Sequence, residues 1–242
     1  MGRGKDALKK LLRTCGVDIR RYRPESSPTA QFVASLQTFE IDLLLDVGAN
    51  RGQFAAETRS GGYRGDIVSF EPLSRAHSVL QRASRGDPRW RVHPRCALGD
   101  RVGEVEINIA ANSDSSSLLP MLDSHLAAAP HTAYVGRESV SLATLDQAAV
   151  GYLENRVNPF LKIDTQGFEW QVLQGAREIL PRIRGAQVEL SLIPLYEGDH
   201  LWRETVGLME SLGFTLWIVQ PFFIDPRNGR TLQLDATFYR LA

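Results

Sequence analysis

The stretch Ile41-Asp42-Leu43-Leu44-Leu45-Asp46-Val47-Gly48-Ala49-Asn50-Arg51-Gly52-Gln53-Phe54 reads as strand, turn and helix in succession. Residues 41–47 are almost continuously apolar, the pattern of a parallel strand covered on both faces. Gly48 and Gly52 let the backbone turn tightly and approach a ligand closely. The helical stretch that follows ends at Gly61-Gly62.

The same alternation continues outward. Asp66–Phe70 reads as a second strand, and Ser74 is placed to cap a helix carrying Ala76, Val79, Leu80 and Ala83 inward. Trp90–Leu98 reads as a third strand. Residues 103–145 hold an alternating segment (Val105, Ile107, Ile109), a polar loop at 113–117 and a strand at Ser139–Leu142, with too few apolar residues for a separate core. Strand Phe160–Asp164, a helix from Phe168 to Leu180, strand Gln187–Leu192 and a helix from Leu201 to Leu212 resume the pattern. The chain ends with strands Phe214–Val219 and Asp235–Leu241 and no helix between them, which predicts an antiparallel pair at the sheet edge. Repeated strand–helix units predict an α/β fold, a mostly parallel sheet with helices on both faces.

Composition narrows the function classes. The chain has 242 residues, and 28 Lys plus Arg balance 28 Asp plus Glu, so no overall charge draws it to nucleic acid. The balance is local, however. Residues 1–23 carry eight basic and two acidic side chains, leaving 20 basic against 26 acidic in the remainder. A basic helical arm over 1–30, with Leu8, Leu11 and Leu12 on one face of a helix at 5–12, would then precede a single domain over 31–242, with Pro24–Pro28 as the linker and a helix at Gln31–Phe39 opening the domain. Such an arm could touch an anionic membrane surface or pack on the body as a lid. Two cysteines cannot build a disulfide framework, and no apolar run reaches the roughly 18–20 residues of a membrane span. The expected location is the cytoplasm.

Chemistry concentrates at strand ends. A dinucleotide fingerprint would be G-x-G-x-x-G; here the spacing is D-x-G-x-x-x-G, from Asp46 through Gly48 to Gly52, and a carboxylate there repels pyrophosphate but suits a cationic amine. Glu71, in Phe70-Glu71-Pro72, lies 25 residues after Asp46 at the end of the next strand, where an acid accepts hydrogen bonds from ribose hydroxyls. A cationic amino acid joined to a nucleoside, S-adenosylmethionine, fits both acids. Asp164, in Leu161-Lys162-Ile163-Asp164-Thr165-Gln166-Gly167-Phe168-Glu169, ends the core strand beside the first, where donor and acceptor meet. Glu169 is read as a first-turn helix acid.

These motifs, with Gln174-Gly175-Ala176, Gln187–Leu190, the serine run Ser115–Ser117, Thr144-Leu145-Asp146 and Leu234-Asp235-Ala236, resemble the FkbM family of S-adenosylmethionine-dependent O-methyltransferases over residues 41–241. The resemblance implies a class I methyltransferase, Rossmann-like sheet of seven mostly parallel strands with a reversed last pair. It also implies methylation of hydroxyls on sugars or polyketide-type products. Gln166 departs from the acid more usual at its position.

The expected cofactor-binding residues are Asp46, Gly48, Ala49, Asn50, Gly52, Gln53, Phe54, Glu71, Pro72, Leu73, Ala97, Leu98 and Asp164. Alignment of oxygen, methyl carbon and sulfur carries much of methyl transfer, and a base that takes the hydroxyl proton helps. Asp164 is the first candidate base, with Glu189 and His200 as alternatives. Asp164 and Glu189 could also hold Mg²⁺. The expected acceptor is a small-molecule or glycolipid sugar. Asn158-Pro159-Phe160 lacks the second proline of the motif found in enzymes that methylate DNA amines, so nucleic acid is not expected. Two alternatives stand beside this reading: a nicotinamide-dependent reductase, disfavoured by the glycine spacing and by the lack of a Tyr-x-x-x-Lys pair, and a non-catalytic cofactor-binding protein.

Overall fold

A computed structural model describes residues 10–17 and 22–241. Most of the helix expected at 5–12 therefore lies outside the described residues; 10–14 are helical. The helix expected at Gln31–Phe39 begins earlier, as α1 (Pro28–Thr38), because Ser27 caps it by accepting from the Ala30 N–H and Pro28 occupies its first position. The 30/31 division thus falls inside its first turn. Phe32 and Leu36 of this helix are buried against the sheet.

Ten strands follow in two sheets. The main sheet contains β1 (Leu43–Val47), β2 (Asp66–Phe70), β3 (Trp90–Val92), β7 (Pro159–Ile163), β8 (Gly185–Ser191), β9 (Thr215–Ile224) and β10 (Thr231–Tyr239), in the order β3-β2-β1-β7-β8-β10-β9. The first five run parallel, and β10 is antiparallel to both of its neighbours. This is the seven-stranded, Rossmann-like class I methyltransferase order with a reversed last pair. Helices α2 (Gln53–Ser60), α3 (Ser74–Ser84), α6 (Glu169–Gln174) and α7 (Trp202–Ser211) fill the crossovers. Every residue of β1, β7 and β8 is buried, as central parallel strands require. Among the described residues no helix is long and apolar enough to cross a membrane.

The expected third strand is two strands. β3 pairs with β2, but the chain leaves the sheet at His93-Pro94-Arg95 and re-forms as β4 (Ala97–Gly99) in a second sheet. Pro94 has no N–H to continue the ladder. β4 runs parallel to β6 (Tyr134–Thr144), which pairs antiparallel with β5 (Gly103–Ala110). Two short helices, α4 (Asp123–Ala128) and α5 (Leu145–Ala149), flank β6 in sequence. Ser74 proves to be the first helical residue of α3 rather than its cap. The cap comes from β6: Glu138 accepts from the Ser74 N–H and hydroxyl at 3.1–3.2 Å.

The helix expected from Phe168 to Leu180 is also shorter, since α6 stops at Gln174. At Gly175 the chain presses against the small sheet: a Cβ there would lie 1.9 Å from the Gly99 carbonyl oxygen. Gly175→Ala is accordingly expected to destabilise the fold by about 1–3 kcal/mol through overpacking. Urea denaturation would show this as a lower midpoint at unchanged slope.

Candidate active site

Pairing register converts isolated polar residues into rows. On the sheet face covered by α1, α2 and α3, Ile67, Leu44, Phe160 and Tyr239 form an apolar band. Two residues further along the strands, Ser69, Asp46, Lys162, Gln187 and Thr237 are paired in sequence across β2, β1, β7, β8 and β10. All five are buried. Trp90 Nε1 donates to the Ser69 hydroxyl, which donates to Asp46 Oδ2, both at 3.0 Å. Lys162 Nζ stands 3.3 Å from Asp46 Oδ1 and 3.3 Å from Asp164 Oδ2, and donates to the Gly48 carbonyl at 3.1 Å. Burial works against the ammonium, but Asp164 and Asp46 outweigh it and raise the Lys162 pKa. Asp46 is pushed up by burial, against the pull of Lys162.

The next row, at the carboxyl ends of the strands, carries the acids of a cavity of about 1020 Å³. Gly48, Ala49, Asn50, Gln53, Phe54, Glu71, Pro72, Leu73, Ala97, Leu98 and Asp164 line it; Asp46, Gly52, Glu189 and His200 do not. The turn after β1 is tightly built. Gly48 and Ala49 donate to the Phe70 carbonyl, and a Cβ on Gly48, whose φ is +75°, would fall 1.7 Å from the Asp164 carbonyl oxygen. Glu71 is buried and ties the turn after β1 to the start of α3, accepting from the Asn50 N–H at 2.8 Å and the Leu73 N–H at 2.9 Å. Burial still raises its pKa to about 7. Asn50 Oδ1 is buried without a hydrogen-bond partner. The polar loop after β5 straps this half: Asn50 Nδ2 donates to Ser113, Gln53 Nε2 to Asp114, and the Ser117 hydroxyl to the Gln166 carbonyl.

Gln166 links the two halves. Its Nε2 donates to Asp164 Oδ1 at 2.9 Å and to Glu189 Oε2 at 2.8 Å, while its Oε1 accepts from the Tyr196 hydroxyl. Glu189 Oε2 also accepts from Gln233 Nε2 at 3.0 Å. Burial drives the Glu189 pKa well up, and Asp164, Glu169 and Asp235 add to it. The pair Asp164–Glu189 does not fit a magnesium ion, because an amide nitrogen already donates to both carboxylates. Among the described residues no three His, Cys, Asp or Glu side chains gather to hold a cation. Glu169, read from sequence as a dipole-compensating acid, folds back to accept from the N–H groups of Thr165 and Gly167, shaping the turn after β7. His200 stacks on Trp170 at 4.0 Å between ring centroids, outside the cavity.

Sequence reasoning gave no role to Lys162, Gln187, Gln233, Asp235 and His125, which all line the cavity. A lysine in an otherwise apolar central strand and an aspartate in a late strand were the available signals. The wall opposite the turn after β1 is built by Gln187, Gln233, Asp235 and the Pro221-Phe222-Phe223 segment of β9.

Comparison with known proteins gives a consistent outcome. A family model described as Methyltransferase FkbM domain matches residues 46–216. A 2-O-methyltransferase, NoeI, from Sinorhizobium fredii (strain NBRC 101917 / NGR234) is 26% identical over 212 residues, covering 85% of this chain and 86% of that protein. Among solved structures, magnesium protoporphyrin IX methyltransferase from Synechocystis PCC 6803 aligns over 88% of this chain and 76% of its own, with 7% identity and a TM-score of 0.46. The mitomycin 7-O-methyltransferase MmcR aligns over 88% and 53%, with 12% identity and a TM-score of 0.46.

The polar row yields a stability prediction. Lys162→Met strands two carboxylates, and breaking a buried pair costs about 3–5 kcal/mol near neutral pH. The Asp46 pKa is already raised in the fold above its unfolded value of about 3.9, and loss of the ammonium raises it further. The folded variant therefore holds a proton that the unfolded chain releases, so its stability falls as pH rises above about 4 towards the folded pKa. Denaturation at pH 5 and pH 8 is expected to show the larger deficit, relative to wild type, at pH 8.

Proposed function

The chain belongs to the FkbM methyltransferase family and is an S-adenosylmethionine-dependent methyltransferase; from that premise we propose that it methylates a hydroxyl group on a sugar of a glycolipid or glycosylated natural product. The observation that carries the sugar reading is the composition of the cavity beyond Asp164. Gln187, Gln233 and Asp235 line it with amides and a carboxylate, and Phe222 and Phe223 supply aromatic rings. Neighbouring hydroxyls need several fixed donors and acceptors, and the C–H face of a sugar ring packs on aromatics. The similarity to a 2-O-methyltransferase at 26% identity supports transfer to oxygen.

The donor half fits S-adenosylmethionine on the structure's own terms. The buried Asn50 Oδ1 lacks a partner, Glu71 stands at the cavity wall, and Gly48 and Ala49 line the cavity beside them. On this reading Glu71 accepts hydrogen bonds from the ribose hydroxyls, and Pro72, Leu73, Ala97 and Leu98 enclose the base. The bound donor supplies a methyl group on a positively charged sulfur. Asp164 would present its carboxylate to that charge, with Lys162 and Gln166 holding its two oxygens in place, so that its orientation would cost no reorganisation during reaction. Glu189 and Asp46 act one layer deeper, steadying Gln166 and Lys162. Orientation of the reacting groups contributes the larger part of the rate.

Two measurements test this reading. S-adenosylhomocysteine is expected to raise the melting temperature while nicotinamide dinucleotides do not. Glu71→Ala is expected to weaken S-adenosylhomocysteine by about 1–3 kcal/mol in calorimetry, because buried hydroxyls lose an acceptor. Unchanged affinity would remove Glu71 from the ribose.

A further inference from the structure

Four acids crowd the acceptor side of the sheet: Asp164 on the turn after β7, Glu189 on β8, Asp235 on β10, and Glu169 on α6. Three are occupied. Asp164 is held by Lys162 and Gln166, Glu189 accepts from Gln166 and Gln233, and Glu169 accepts from Thr165 and Gly167. Asp235 is different. It is paired in register with Glu189 and with Gln220 of β9, and it lines the cavity. Among the described residues its carboxylate has no hydrogen bond and no ion pair within 4 Å, and Lys162 acts on it only through space. A partly exposed carboxylate with uncommitted oxygens, set at the wall between the Asp164 anion and the aromatic rim of β9, is free to engage an incoming ligand.

Building on the hydroxyl-transfer reading above, we propose that Asp235 is the catalytic residue that takes the proton from the acceptor hydroxyl. The step balances. The acceptor oxygen bonds to the methyl carbon, the carbon–sulfur bond breaks with its electron pair going to sulfur, and the hydroxyl proton passes to Asp235. Products are a methyl ether and a neutral thioether, and the proton is lost to solvent once the products leave.

The surroundings tune Asp235 for this work. Burial and the facing Asp164 carboxylate raise its pKa to about 7, while Lys162 pulls the other way. Glu189 faces it across the strand pair, Gln220 lies opposite on β9, and Glu25, His125 and His131 stand elsewhere on the cavity wall. A base near neutrality balances availability against proton affinity. Asp164, in the same cavity, has both oxygens already engaged, one by an ammonium and one by an amide.

The test compares wild type with Asp235→Asn on a glycoside acceptor. The variant is expected to lose about 10²–10⁴-fold in kcat while binding S-adenosylhomocysteine as wild type does. In the wild type, kcat/KM should rise with pH through about 7, and the variant should lack that limb. A variant within twofold of wild-type kcat, with the same limb, overturns the assignment. Carbon-13 carboxyl spectra give a readout without turnover. The aspartate resonance missing from Asp235→Asn should titrate with a midpoint above 6, and a midpoint near the ordinary aspartate value of about 3.9 overturns the assignment. Failure of the wild type to methylate any hydroxyl acceptor would instead strike the hydroxyl-transfer reading, with the carboxyl titration still deciding Asp235.

Discussion

A single ammonium organises the catalytic end of this sheet. Lys162 sits inside a strand that is otherwise apolar, with carboxylates on either side and no bulk water around it. An isolated charge could not stay ionised there. Together, buried Asp46 and Lys162 and the half-buried Asp164 reduce three charges to a net of one, and the excess negative charge faces the cavity. The remaining negative charge is what a cationic methyl donor would meet. Ser69 and Trp90 extend the same network to the far side of β1, so the sheet edge and the cavity share one polar frame.

Neighbouring acids diverge in role because their partners differ. Asp164 and Asp235 lie on the same face and line the same cavity, yet one is held by a cation and an amide while the other is left uncommitted. The first suits a fixed electrostatic role and the second a mobile proton. Glu189, between them in strand order, takes no part in the cavity wall and instead receives two glutamine amides, one of which also holds Asp164.

Much of the architecture was legible because strand burial and helix amphipathicity are local signals. The run at 43–47, the glycine turn and the helix–strand alternation that follows could be read without pairing information. The final antiparallel pair was legible too, from the missing helix between its strands. The polar row was not. Each member, such as Lys162 or Gln187, is one polar residue in an apolar strand, and only register brings them side by side. The split of residues 90–98 was signalled by Pro94, but that both halves were apolar hid the change of sheet. His200 lies in a loop leading towards α7, and nothing local tells that its ring would settle on Trp170.

The cap of α3 has a consequence for how the protein assembles. Leu73 offers no side-chain oxygen, and the acceptor for the first turn of this helix comes from Glu138, 64 residues later in the chain. The helix start can be secured only after β6 has been synthesised and docked, a non-local contact with the entropic cost that implies. Glu71 and Leu73 belong to the same short run into α3. The Glu71 side of the cavity is therefore completed when the small sheet closes onto the large one, although its residues are among the first of the domain to leave the ribosome.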